Sequence, residues 1–235
     1  MGNLRAVWRS ARYGAVRAVN KAVQFCVIAG GVTLANPAAA EPVTVVALGD
    51  SLTAGYGLPE GEGFVPQLQD WLDARGLEVE IVNAGVSGDT TAGGLARLDW
   101  ALSEEADAMI VALGGNDLLR GIPPASSRAN LDAILAEVAE ERGLPVLLIG
   151  LEAPGNYGPA FKAAFDEMYP ALAERYGALH EVSFLGPLMA EMSAGEARAR
   201  YMQGDGIHPN REGVAVIVEA IGPRVAELVA RAGES

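Results

Sequence analysis

Short apolar runs alternate with helical patterns along residues 41–235. The runs at Val43–Leu48, Glu78–Asn83, Ala108–Leu113, Val146–Gly150 and, more weakly, Ala178–Val182 have the length and composition of buried strands. Between them the pattern predicts helices over Phe64–Arg75, Thr91–Leu102, Arg128–Arg142 and Ala160–Tyr176, with a last one over Arg211–Ala232. Strands that alternate with helices imply a parallel sheet covered on both faces. The expected fold is therefore α/β: a three-layer αβα sandwich with a five-stranded parallel sheet in the order 2-1-3-4-5. Pro170 predicts a kink or division of the fourth helix, and Ser126 or Ser127 a cap for the third. No repeat, low-complexity tract or Pro/Gly-rich linker divides the region, which reads as one domain.

The polar, glycine-rich segments fall at strand ends. Gly49-Asp50-Ser51 follows the first strand, Asn83 to Asp89 the second and Gly114 to Asp117 the third, while Asp205 to His208 precedes the last helix. In an open parallel sheet these ends share one edge, where such folds place their sites. Ser51 is the candidate nucleophile; the competing reading is a serine that caps a helix. A serine hydroxyl needs an adjacent base, and imidazole, with an unperturbed pKa of about 6.5, supplies one. Residues 41–235 contain two histidines. His180 ends a weak apolar run and reads as structural or solvated. His208 lies in a rim loop three residues after Asp205, a spacing that lets a turn bring the carboxylate to one ring nitrogen. Asp205-Gly206 is also an ordinary turn signal, and Asn210 an ordinary helix cap. Asp50, Asp89 and Asp117 read as loop and helix-start hydrogen-bonding residues.

The first 40 residues differ in kind. Arg5, Arg9, Arg12, Arg17 and Lys21 occur without an acidic residue, ahead of the apolar stretch Ala22 to Ala35 and Ala38-Ala39-Ala40. That stretch is shorter than the ~18 residues of a membrane span, and the triplet is a small-residue cleavage pattern. Residues 1–40 are expected to be a signal peptide cleaved before Glu41, giving a periplasmic or secreted protein without stable membrane insertion; an uncleaved anchor is the alternative. Loss of the leader's five cations leaves 12 Lys and Arg against 30 Asp and Glu, a charge of −18. Such a field opposes nucleic acid and anionic lipid as partners. The single cysteine, Cys26, leaves with the leader, so neither a disulfide nor a thiolate metal site is expected.

Together the segments GDSLTAGYG, NAGVSGDT, GGND and DGIHP, in that order and spacing, resemble the blocks of the SGNH or GDSL hydrolases. The resemblance spans essentially all of residues 41–235. LARL at 95–98 and APGNYG at 153–158 bring it closest to the bacterial arylesterases and multifunctional thioesterase/lysophospholipases. It implies a flavodoxin-like SGNH hydrolase fold with Ser51 as nucleophile and His208 as base oriented by Asp205. It further implies an oxyanion hole formed by Ser51, Gly88 and Asn116, donors placed where negative charge develops. The implied substrates are small-molecule or lipid esters: short- or medium-chain esters, aryl esters, thioesters and lysophospholipids. Deacetylation of a carbohydrate, which other branches perform, is the competing activity. A non-catalytic envelope binding module is the competing class.

No cofactor and no metal are expected. GxSxG, a P-loop, GxGxxG after a strand, HExxH and CxxC do not occur. Leu118, Leu119 and Ile122 after Asn116, with Pro154 and Tyr157 in the APGNYG loop, are candidates for an apolar acyl pocket. The plainer reading is that they pack loops against the sheet.

Overall fold

The computed structural model describes residues 41–102, 105–191 and 195–234. The predicted leader lies outside the described residues. Residues 40–235 form one compact unit around a five-stranded parallel sheet in the order β2-β1-β3-β4-β5. The strands are β1 (Val43–Gly49), β2 (Val79–Gly85), β3 (Ala108–Ala112), β4 (Val146–Ile149) and β5 (Leu179–Glu181). The helices are α1 (Ser51–Ala54), α2 (Phe64–Asp73), α3 (Thr91–Ala96), α4 (Leu98–Ala101), α5 (Gly115–Leu119), α6 (Pro124–Leu135), α7 (Pro159–Tyr176), α8 (Gly186–Glu191), α9 (Gly195–Tyr201) and α10 (Arg211–Ala232).

Strand periodicity builds two cores. Val45 and Ala47 of β1 join Ile110, Leu147 and Leu179 beneath α2 and α10. Val46 and Leu48 point the other way, with Met109, Val111 and Leu148, toward α6 and α7. Each face is sealed by helices whose buried residues recur three or four apart, such as Val214, Ile217, Val218, Ile221 and Val225 of α10. Asn210 caps α10, its Oδ1 accepting the Gly213 amide at 2.9 Å.

The helices differ from these expectations in four respects. Pro170 does not divide α7, which runs unbroken from Pro159 to Tyr176. Pro170 is exposed, so the i−4 carbonyl it leaves unpaired lies on the solvent side, where water can satisfy it. Pro223 in α10 is exposed in the same way. Neither Ser126 nor Ser127 caps the third predicted helix, because α6 starts earlier, with Pro124 in its first turn. That helix also ends at Leu135 and continues as a π-helical turn over Ala136–Glu141. The predicted helix Thr91–Leu102 is two short helices that meet at Arg97, whose side chain is drawn inward to Asp89 and to the Gly49 carbonyl.

Buried Asp117 ties these helices together. It accepts hydrogen bonds from the Thr91 amide (2.8 Å), the Thr91 hydroxyl (2.6 Å) and the Ser127 hydroxyl (2.8 Å), pinning the starts of α3 and α6 to α5. Asp117→Ala should strand these buried donors and lower the unfolding free energy by about 2–4 kcal/mol. Urea denaturation measures the loss; a change within 0.5 kcal/mol, about that of an ordinary surface substitution, would remove Asp117 from this role.

Candidate active site

The parallel register sets Gly49 level with Gly85 of β2 on one side and Ala112 of β3 on the other. The loops after three strands therefore leave the sheet at one height. Ser51 is the first residue of α1, and the cap is Asp50, whose Oδ1 accepts the Leu52 amide at 3.0 Å. Freed from capping, the Ser51 hydroxyl lies 2.9 Å from His208 Nε2. His208 Nδ1 lies 2.6 Å from Asp205 Oδ2, while Asp205 Oδ1 accepts the amides of Ile207 at 2.9 Å and His208 at 3.0 Å. One carboxylate thus holds both the ring and the backbone of the histidine. The ring hydrogen bond, followed by the two amides, lowers the Asp205 pKa to about 2. An acceptor ionised throughout the neutral range keeps the proton on Nδ1 and leaves Nε2 free to accept one from Ser51.

On the far side of Ser51, Gly88 stands at φ +90°, a conformation that favours glycine, and its carbonyl accepts Arg120 Nη2 at 2.8 Å. Asn116, in the first turn of α5, donates from Nδ2 to the Asp89 carbonyl at 2.9 Å and, less closely, to Asp50 Oδ2 at 3.3 Å. Arg97 Nε meets Asp89 Oδ2 at 2.5 Å, and its Nη2 reaches the Gly49 carbonyl at 3.0 Å. Two arginines therefore tie the loop that carries Gly88 to Gly49, two residues before Ser51, and to the end of the helix that carries Asn116. Neither was singled out from the sequence. Arg120 was legible in principle: four residues after Asn116, it occupies the same side of one helical turn.

These residues open onto a cavity of about 750 Å³, a volume suited to a small molecule. Ser51, Gly88, Asn116 and His208 share its wall, and Asp205 stands behind His208. Of the predicted apolar residues, Leu118, Leu119 and Pro154 line it. Tyr157 and Ile122 are not part of the lining; the Tyr157 ring lies over Gly121 and against Phe161 at 4.8 Å between centroids. Sequence reasoning did not anticipate Leu151, Leu185, Met202 or Ile207, which complete the apolar wall. Lys162 secures the loop bearing Pro154, donating to the Ala153 carbonyl at 2.8 Å and pairing with Asp166 at 2.6 Å. His180 lies in β5, three strands away from β1, with its pKa lowered by burial and then by Arg224.

The sequence pattern of the GDSL-like lipase/acylhydrolase family matches residues 47–216. Esterase TesA of Pseudomonas aeruginosa is 42% identical over 199 residues, covering 84% of this chain and 94% of its own. The thioesterase 1/protease 1/lysophospholipase L1 of Escherichia coli is 36% identical over 192 residues, covering 81% and 87% respectively. Among solved structures, the SGNH-hydrolase family esterase AlinE4 superposes with a TM-score of 0.64 at 41% identity, covering 81% of this chain and 98% of its own. The chain belongs to the GDSL-like lipase/acylhydrolase family and is a serine hydrolase acting on ester bonds.

Asp50 provides a pH test of this geometry. It is 3% exposed, and burial, opposed by the Leu52 amide, raises its pKa from 3.8 to about 6. The folded state therefore holds this proton more tightly than the unfolded chain, and the associated stabilisation is lost as pH rises through 6. Relative to the wild type, Asp50→Asn should gain up to about 3 kcal/mol of unfolding free energy between pH 4 and 7. Denaturation curves across that range read the difference; a difference that stays flat would show that Asp50 ionises normally.

Proposed function

We propose that this family member is an exported serine esterase that works through an acyl-enzyme formed on Ser51. The observation that carries the reading is the 2.9 Å contact between Ser51 Oγ and His208 Nε2, backed by Asp205 at 2.6 Å, on the wall of an apolar cavity. Ser51 attacks the substrate carbonyl carbon as its proton passes to His208 Nε2. The oxyanion is met by the Ser51 and Gly88 amides and by the Asn116 N–H that Asp50 holds only at 3.3 Å, the other staying with the Asp89 carbonyl. The intermediate collapses, and His208 returns the proton to the departing alcohol or thiol. Water then repeats the sequence and frees the acid.

The preferred substrates are carboxylic esters or thioesters of short to medium acyl chains, including aryl esters and lysophospholipids. Leu118, Leu119, Leu151, Leu185 and Met202 suit an acyl chain, and the charge of −18 beyond the leader opposes a polyanionic leaving group. The two relatives are named as an esterase and as a thioesterase and lysophospholipase, which supports the ester, thioester and lysophospholipid part of this range. Export rests on the basic leader, the apolar run and Ala38-Ala39-Ala40. No helix among the described residues is long and apolar enough to cross a membrane.

Hydrolysis of p-nitrophenyl esters of increasing acyl length tests the activity. Ser51→Ala should abolish nearly all turnover, and Asn116→Ala should lower kcat by about 10²–10³. Ser51→Ala/His208→Ala should be scarcely worse than either single variant, because the two act as a unit. Turnover that survives Ser51→Ala but disappears with a chelator would overturn the mechanism. Because a protonated His208 cannot accept the serine proton, kcat/KM should fall toward acid pH; an acid limb retained in His208→Ala would remove it as the base. Mass spectrometry of the exported protein should place its N-terminus at or near Glu41; an intact leader on cytoplasmic protein would refute export.

A further inference from the structure

His208 and Ser51 come from loops 157 positions apart in the chain, and something must fix the distance between them. The histidine loop is internally closed. The Gln203 amide donates to the His208 carbonyl at 2.8 Å, the Gly206 amide to the Gln203 carbonyl at 2.9 Å, and Met202 bridges Pro209. Closure of this loop does not register it against α1. On the serine side, Tyr56 is tied to the nucleophile through its amide, which donates to the Ser51 carbonyl at 3.0 Å.

Gln203 joins the two. Its side-chain Nε2 donates to the Tyr56 carbonyl at 2.8 Å and to the Pro209 carbonyl at 2.9 Å, so each amide hydrogen serves one loop. The contact requires Gly57, which stands at φ +75°; a Cβ there would come within 2.2 Å of Gln203 Oε1. The Tyr56 ring also packs against the His208 ring, with centroids 4.7 Å apart. A path of hydrogen bonds therefore runs from the Ser51 carbonyl through Tyr56 and Gln203 to the carbonyls of His208 and Pro209.

We propose that Gln203 is a positioning residue that sets the Ser51 to His208 separation by clamping the nucleophile loop to the histidine loop. It touches no reacting atom. Its effect is geometric, and displacements of about 1 Å between reacting groups are enough to cost up to 10²-fold in rate. The requirement is for a donor: two carbonyl oxygens face Nε2, so a side chain without a proton to give either leaves them unpaired or repels them.

The inference rests on the proposed pairing of Ser51 and His208, and one set of variants separates the two. Gln203→Leu keeps the bulk without the donor, Gln203→Glu presents an acceptor to two acceptors, and Gln203→Lys restores a donor. Leu and Glu should lower kcat on p-nitrophenyl butyrate by about tenfold or more with KM within about twofold, because the cavity wall is untouched. Inactivation by a small fluorophosphonate, which needs the same activated hydroxyl, should slow by the same factor. Lys should stay within about threefold of wild type. Circular dichroism and the melting temperature establish folding, and the Glu and Lys pair alone decides the matter if Leu does not fold. The proposal is overturned if folded Leu or Glu variants keep kcat within twofold, if the loss falls on KM, or if Lys loses as much as Glu. Should Ser51→Ala remain active, the underlying mechanism fails instead.

Discussion

The alignment of Gly49 with Gly85 on one neighbouring strand and Ala112 on the other governs the geometry of the site. Because the three strands run parallel and in register, the loops bearing Ser51, Gly88 and Asn116 start at one level, without long connections to bring them together. The two cores hold that register. A slip of one residue would exchange Val45 and Ala47 for Val46 and Leu48 and turn both buried faces inside out. Packing on both sides of the sheet is thus what keeps Ser51, Gly88 and Asn116 on the wall of one cavity.

The rim concentrates polar groups where the sheet can least hydrate them. Asp50 is almost completely buried, yet each of its oxygens has a partner: one receives the Leu52 amide and the other faces Asn116. Arg97 and Arg120 donate to carbonyls of the turning loops, at Gly49 and Gly88 respectively. The consequence is preorganisation. Donors already fixed in the ground state need little rearrangement when charge develops, which is the chief advantage of a protein site over water. Asp205 applies the same principle to the proposed base, binding backbone and ring of His208 at once.

In the proposed reading, electrostatics and shape divide the work of selection. A strongly acidic body discourages polyanions at a distance, while the apolar wall favours a chain of methylenes close at hand. Lys162 and Arg198 line the same cavity; Lys162 is paired with Asp166, and Arg198 donates to the Gly206 carbonyl. Both cations hold loops in place.

The sequence by itself determined the layer order, the strand edges and a short set of candidates for the chemistry. Strand and helix periods differ, and burial on both faces demands a nearly continuous apolar run, so β1, β3 and β4 were legible from composition over a few residues, whereas β2, at the sheet edge, mixes buried and exposed positions. Ser51 and His208 could be singled out as candidates because few side chains can serve as nucleophile and base, and residues 41–235 offer two histidines. What the chain did not announce depended on distance in space. Pro170 is tolerated because it faces water, α6 begins before its serines, at Pro124, with Ser127 donating to Asp117, and Arg97 breaks a helix to reach two loops. The far wall of the cavity, at Leu185 and Met202, and the clamp from Gln203 to Tyr56, 147 positions away, likewise have no local signature. Periodicity records which way a side chain faces relative to its own element; only the packed fold decides what it meets there.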